Sequence, residues 1–235
     1  MYLKENDFMG IFSPNFQREG AGVEKNEPSK EGLSLFFDLF TSRFWDLMKL
    51  NIIFIIYCIP IVTIAPAFGA LTSMTMSIVR RKPILFMLKD FHAAFKTNWK
   101  QSFVCGFLSC LLFSILYYAS VFYYKLSQEN PILYAIFFLC IFMTISLLLA
   151  WIYIFPILTT ISLSIKDIYK NSLLLGLACL KHTILGAFVY GLIFIGTILY
   201  LPLVFPLIFI FTFSLLSFIS SFTSWPGINK HLIKE

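Results

Sequence analysis

The sequence predicts an all-α fold: a polytopic transmembrane helical bundle of six spans with long cytoplasmic helical connections. Three observations predict it. The 235 residues are 59% hydrophobic and only 13% charged, where soluble domains run near roughly 45–50% apolar and about 25% charged. Residues 50–79, 101–124, 130–165 and 182–229 contain no Asp, Glu, Lys or Arg, and each exceeds the roughly 20 apolar residues that one crossing needs. The cations collect between these stretches, as the retention of Lys and Arg on the cytoplasmic side requires.

Residues 1–32 read as a polar cytoplasmic arm. They carry both charge signs, scattered Gly10, Gly20, Pro14 and Pro28, and no hydrophobic period. A cleavable leader needs a basic head followed at once by an apolar segment, and the arm lacks that order. Met9 is an alternative start.

The first uncharged run, 50–79, is long for one crossing and short for two. Pro60 and Pro66 lie inside it, where proline interrupts a helix. One reading is two spans, near 44–60 and 65–79, with 61–65 as an extracellular or mid-membrane turn. The second of these is roughly 24 Å long, tolerable with local thinning and tilt. The rival is one kinked helix, giving five spans and an outside N-terminus.

The third span is predicted near 101–124. Residues 130–165, about 54 Å as helix, read as one long span near 132–158 whose end leaves the membrane. Residues 182–229, about 72 Å as helix, must fold back. Pro202 and Pro206 mark that turn, between spans near 183–201 and 204–222. Residues 230–235 form a cytoplasmic tail.

Charge placement supports six. Segment 80–100 holds Arg80, Arg81, Lys82, Lys89, Lys96 and Lys100 against Asp90, and segment 166–181 holds Lys166, Lys170 and Lys181 against Asp167. The link 125–129 balances Lys125 against Glu129. One span on each side of that link puts both basic segments on one face.

The net charge of +6 is therefore topological. A basic face for nucleic acid would need its cations clustered on a water-exposed domain, so no nucleic-acid partner is expected. The five cysteines, Cys58, Cys105, Cys110, Cys140 and Cys179, form no C-x-x-C pair. They read as small apolar residues rather than a disulfide or zinc framework.

No catalytic signature is present. His92, His182 and His231 are far apart, and there is no Walker A, nucleophile elbow or paired-carboxylate arrangement. No acidic residue lies deep in a span, which weighs against a proton-coupled pump. The expectation is a protein that is not an enzyme and needs no cofactor or metal.

The stretch from Arg43 reads RFWDLMKLNIIFIIYCIPIVTIAPAFGA, and KDFHAAFKTNWKQS follows from Lys89. Together these resemble the YesL-like family of bacterial membrane proteins, which has no assigned biochemical activity. The matching residues are Arg43, Phe44, Trp45, Leu47, Lys49, Leu50 and Asn51, then Pro60 to Ala67, then Asp90, Phe91, Phe95, Lys96, Asn98, Lys100 and Gln101. Ala65 departs from the family's usual glycine. The resemblance implies a multi-pass protein of the bacterial plasma membrane, with both termini cytoplasmic in the six-span reading. It further implies an accessory role beside a membrane partner such as a sugar ABC transporter.

Several positions are candidates for structural roles or partner contact: Arg43, Trp45, Asp46, Lys49, Asn51, Pro60, Pro66, Asp90, Asn98 and Lys100. Asp46 and Lys49 stand three apart on a helix and can pair. They anchor a partner or ligand, or else snorkel at the interface beside Trp45 and Arg43. Ser73, Thr75 and Ser77 resemble Thr160, Ser162 and Ser164 in spacing, and a Lys-Asp pair follows each set. This pattern fits a duplicated hairpin or the common chemistry of span ends. Residues 168–184 suggest an interfacial helix. They lack the E-A-A run and I-x-L-P element of an ABC permease coupling loop.

Two function classes remain. One is an accessory or scaffold component, with the bilayer and a membrane protein as its partners. The other is a small-solute transporter or permease subunit. The transporter needs a central polar cavity reached by Asn51, Thr63 and the 73–77 face.

Overall fold

The computed structural model describes residues 32–233. The arm expected over 1–32 therefore lies outside the described residues except for Gly32. Among the described residues the chain is helical throughout. The helices are α1 (Gly32–Ser42), α2 (Phe44–Tyr57), α3 (Ile64–Val79), α4 (Met87–Ser127), α5 (Tyr134–Thr160), α6 (Ile165–Ala178), α7 (Leu180–Leu199), α8 (Leu201–Leu207) and α9 (Phe213–Ile228). Short 3-10 turns, Ile61–Thr63 and Pro131–Leu133, precede α3 and α5, and a π-helical turn, Ile208–Thr212, precedes α9.

The all-α polytopic bundle holds, but among the described residues five helices rather than six are long and apolar enough to cross a membrane. The shortfall lies in the first run. The chain breaks there as Pro60 requires, so it is not one kinked helix, but α2 has only 14 residues. Its rise of about 21 Å falls short of about 30 Å of hydrocarbon. At its end Tyr57 stacks on Phe91 and Phe95, and its hydroxyl meets His92 Nδ1 at 2.8 Å. These partners lie in the polar opening third of α4, so α2 folds against that third.

Pro66 does not close the turn. It sits buried in the first turn of α3, where the missing N–H has no intrahelical partner to lose. Near the other prolines, the break falls at Tyr200, just ahead of Pro202, and Pro206 is inside α8.

Helix α4 has 41 residues, about 60 Å, twice the hydrocarbon thickness. Lys89, Asp90, Lys96 and Lys100 are confined to its first third, while Phe107, Leu111, Ile115 and Phe122 face outward along the rest. Asp90 closes the helix start by accepting from Phe86 N at 3.2 Å. Ser164 does the same for α6: its hydroxyl accepts from Asp167 N at 3.3 Å and donates to the Asp167 carboxylate at 2.6 Å. The two Lys-Asp pairs thus share the chemistry of helix starts, where carboxylates complete unpaired N–H groups.

The core lies around α3. Leu39, Leu47, Leu50, Phe54, Leu71 and Phe218 form one cluster across α1, α2, α3 and α9. Tyr153, Ile154, Ile157, Ile168, Leu175 and Ile228 form a second across α5, α6 and α9. Helices α3 and α4 approach closely because Gly106 meets Ala65 and Gly69 meets Ser102 without intervening side chains. Such small-residue contacts replace the hydrophobic effect between helices in lipid.

The helix ends flanked by basic residues converge. Gly32, Arg80, His182 and Pro226 line one cavity, and the Arg80 guanidinium lies 4.8 Å from the Trp225 ring centre. Gln101 donates to Leu163 O at 3.2 Å, drawing the α5–α6 junction to α4. The start of α1 and the end of α9 thus share an end of the bundle. Helices α1, α2 and α3 together leave that end and return to it.

Candidate functional site

Most interior polar side chains are bonded to the backbone or to one another, the hydroxyls of Ser102 and Ser172 and the Asn229 side-chain oxygen being buried exceptions. Asn51 is fully buried. Its amide nitrogen donates to Ile208 O at 2.9 Å and Phe209 O at 2.7 Å, and its oxygen accepts from Ser214 N at 3.0 Å. These groups belong to the π-helical turn and the start of α9, where the regular ladder leaves backbone groups unpaired. Asn51 therefore acts as a clamp on that turn. An unsatisfied backbone group in lipid costs several kcal/mol (~2 or more), which explains a polar side chain at this depth.

Thr75 is bonded to Ser217 Oγ and Ser221 Oγ, both at 2.9 Å, and Ser217 reaches Thr72 Oγ1 at 3.3 Å. Ser220 donates to Ile152 O at 2.8 Å. Thr63 bonds locally to the carbonyls of Tyr57 and Pro60. Asn51, Thr63 and Thr75 line neither of the two cavities described below. The two hydroxyl sets that looked alike in sequence also differ in use. Thr75 ties α3 to α9, whereas Thr160 bonds back to Pro156 O in its own helix at 2.6 Å.

At the α1–α2 junction, Asp46 pairs with Arg43 at 3.1 Å rather than with Lys49. Arg43 is the residue at the helix break, with φ of −113°, and its side chain folds forward over the first turn of α2. There Asp46 also favours the helix N-terminus. Lys49 is exposed, and Trp45 points outward with 71% of its surface exposed. Cys58, just past α2, is half-buried. Cys105 and Cys140 are buried as expected, while Cys110 faces outward.

The candidate site is a cleft of about 820 Å³ between α4 and the end of α5. Asn98, Lys100 and Gln101 line one wall, and Thr159, Thr160 and Ser162 line the other. Lys96 and Lys100 are exposed and Asn98 is half-buried. Among the described residues no carboxylate lines it, so the cleft presents positive charge and hydrogen-bond groups. Of the sequence candidates, Asn98 and Lys100 meet here. Asp90 closes the start of α4, and Arg43, Asp46 and Asn51 serve the first core cluster. Pro60 is exposed at the turn before α3.

A second cavity, of about 580 Å³, opens where α1, α3, α7 and α9 converge. Its walls are mostly apolar, with Thr223 among them, and Arg80, Arg81 and His182 are its ionisable lining.

Sequence reasoning passed over the serines of α9. Ser214, Ser217, Ser221 and Ser224 are all buried, at spacings of three and four that place them on one helix face. That spacing was the readable signal. It was passed over because serine near a span end is common. Tyr169, which donates to Cys105 O at 2.8 Å and is bonded to Ser109 at 2.6 Å, gave no sequence signal, since its partners are 60 or more positions away.

Neither a curated protein nor a solved structure matches the chain. Residues 47–119 match a family described as a protein of unknown function, DUF624. The matched region spans most of α2, all of α3 and the greater part of α4. It includes Asn51, Asn98 and Lys100, and so the α4 wall of the cleft.

Proposed function

We propose that the protein is a non-catalytic accessory or scaffold subunit of the bacterial plasma membrane. In this reading the α4–α5 cleft receives an acidic cytoplasmic segment of a membrane partner, and a sugar ABC transporter is the partner that the family resemblance suggests. The carrying observation is the cleft itself. Lys96, Asn98 and Lys100 face an open space with no described carboxylate in its lining, whereas Asn51 and Thr75 inside the bundle are bonded to α9 and the turn before it. Complementary charge gives such a contact its specificity.

Both termini are assigned to the cytoplasm. Gly32 and Pro226 share a cavity with Arg80 and His182, and cation-rich flanks stay inside. Reporters fused at the N-terminus and in the 125–130 link should then report opposite sides.

A photo-crosslinker at Asn98, activated in native membranes, tests the docking reading. The expected result is one reproducible membrane partner, lost when Lys96 and Lys100 are changed to Glu. Substrate flux through the purified protein in proteoliposomes, with no partner captured, would transfer the assignment to a transporter.

A further inference from the structure

The cavity where α1, α3, α7 and α9 converge has a polarity that no packing role explains. Phe36, Val189, Ile219 and Phe222 give it apolar walls, and Arg80, Arg81 and His182 are its ionisable lining. Among the described residues no carboxylate lines it. Its volume of about 580 Å³ falls within the roughly 300–1,000 Å³ of small-ligand sites. The bundle end that carries Arg80, Arg81 and His182 also carries the basic flanks, and such flanks attract anionic headgroups.

Arg81 adds an independent observation. Its φ is +55°, the left-handed conformation that closes a helix and normally takes glycine. The closing bonds are present: Arg81 N donates to Ile78 O at 3.0 Å and Lys82 N to Ser77 O at 2.9 Å. A glycine would serve the backbone better. The position holds a cation instead, in the cavity lining, and strain of this kind points to a use for the side chain. Arg80, stacked on Trp225, fixes a second guanidinium beside it, and guanidinium forks suit phosphate oxygens.

We propose that this cavity is a binding site for one anionic phospholipid. Its phosphate sits between Arg80 and Arg81, and an acyl chain lies along Phe36, Val189 and Phe222. The apolar walls select a lipid over free phosphate, and the paired cations select an anionic headgroup over a zwitterionic one.

The test uses the full chain in bilayer discs of equal phosphatidylglycerol and phosphatidylcholine, followed by native mass spectrometry. One phosphatidylglycerol should remain bound, at least about fivefold over phosphatidylcholine. Arg81→Gly should lower that retention about fivefold, the order expected for one cation near an anionic surface. Because glycine relaxes the backbone, its Tm should equal or exceed that of the parent. Should this variant fail to fold, Arg81→Gln makes the same comparison. Equal retention of the two lipids, or unchanged retention in both variants, would overturn the proposal. So would displacement of the lipid by millimolar inorganic phosphate. A photo-crosslinker at Val189 should tag lipid; tagging only peptides from residues 1–31 would assign the cavity to the N-terminal arm.

Discussion

Helix α3 and the first half of α5 teach opposite lessons about hydropathy. The α3 segment is the least apolar of the five crossing-length helices, yet the most buried. The α5 segment is the most apolar, and between Tyr134 and Leu149 only Cys140 is buried. In water the order would be reversed. In a bilayer the solvent is itself apolar, so large aliphatic and aromatic side chains gain nothing by leaving it. Small and hydroxyl-bearing residues instead mark the interior, because they allow close approach and bond across helices. Ala65, Gly69, Thr72 and Thr75 do this for α3, while Phe138, Leu139, Phe142 and Ile145 on α5 face outward.

The contrast breaks most sharply at Asn51. Asn51→Ala removes three hydrogen bonds at once, taking the side-chain acceptor from Ser214 N and a donor from the Ile208 and Phe209 carbonyls inside the bundle. A loss of about 3 kcal/mol is expected, read as a drop in the thermal midpoint of the purified protein in detergent. A change of less than a third of that would show that water reaches the π-helical turn.

Two glycines carry the next test, because one substitution should act in opposite directions. Gly106→Ala drives a methyl into Ala65 and should destabilise by about 2 kcal/mol. Gly191→Ala meets open space on α7 and should stabilise by about 0.5 kcal/mol through helix propensity. The same sign for both would erase the distinction between packed and outward faces.

Thr75→Val keeps the shape and removes the hydroxyl shared with Ser217 and Ser221. About 1 kcal/mol should be lost, the scale of interhelical side-chain bonds in membranes. Parallel loss in Ser217→Ala and in the double variant, without additivity, would identify the shared bond. The smallest effect is expected at Phe142→Leu on the outward face of α5. It should shift stability by less than about 0.5 kcal/mol. A larger shift there would mean that a partner or second copy covers that face.

Much of this division was legible in the residues. The helix break near Pro60, the long helix over 130–160 and the shared face of the basic flanks follow from proline chemistry and charge. The cleft wall at Asn98 and Lys100 was legible as a motif, though not as a cleft, because its other wall comes from residues about sixty positions later. The span count was not legible. Residues 44–60 have the composition of a crossing, but the length of α2 and the contact of Tyr57 with His92 depend on where α4 begins. The partner of Asp46 was not legible either: Arg43 and Lys49 both stand three residues away, and the kink at Arg43 decides between them.

By itself the sequence determined that this is a helical membrane bundle, that its first uncharged run breaks near Pro60 and which flanks lie together. Those outcomes rest on local properties: apolar length, missing N–H groups at proline and the cost of moving cations through lipid. Tertiary structure alone decided which helix is the core, that Asn51 clamps a π-helical turn, and that two cavities carry cations with no described carboxylate in their linings. These depend on contacts between residues up to 163 positions apart. In a bilayer, composition reports which side chains tolerate lipid, and only packing reports which ones are spared it.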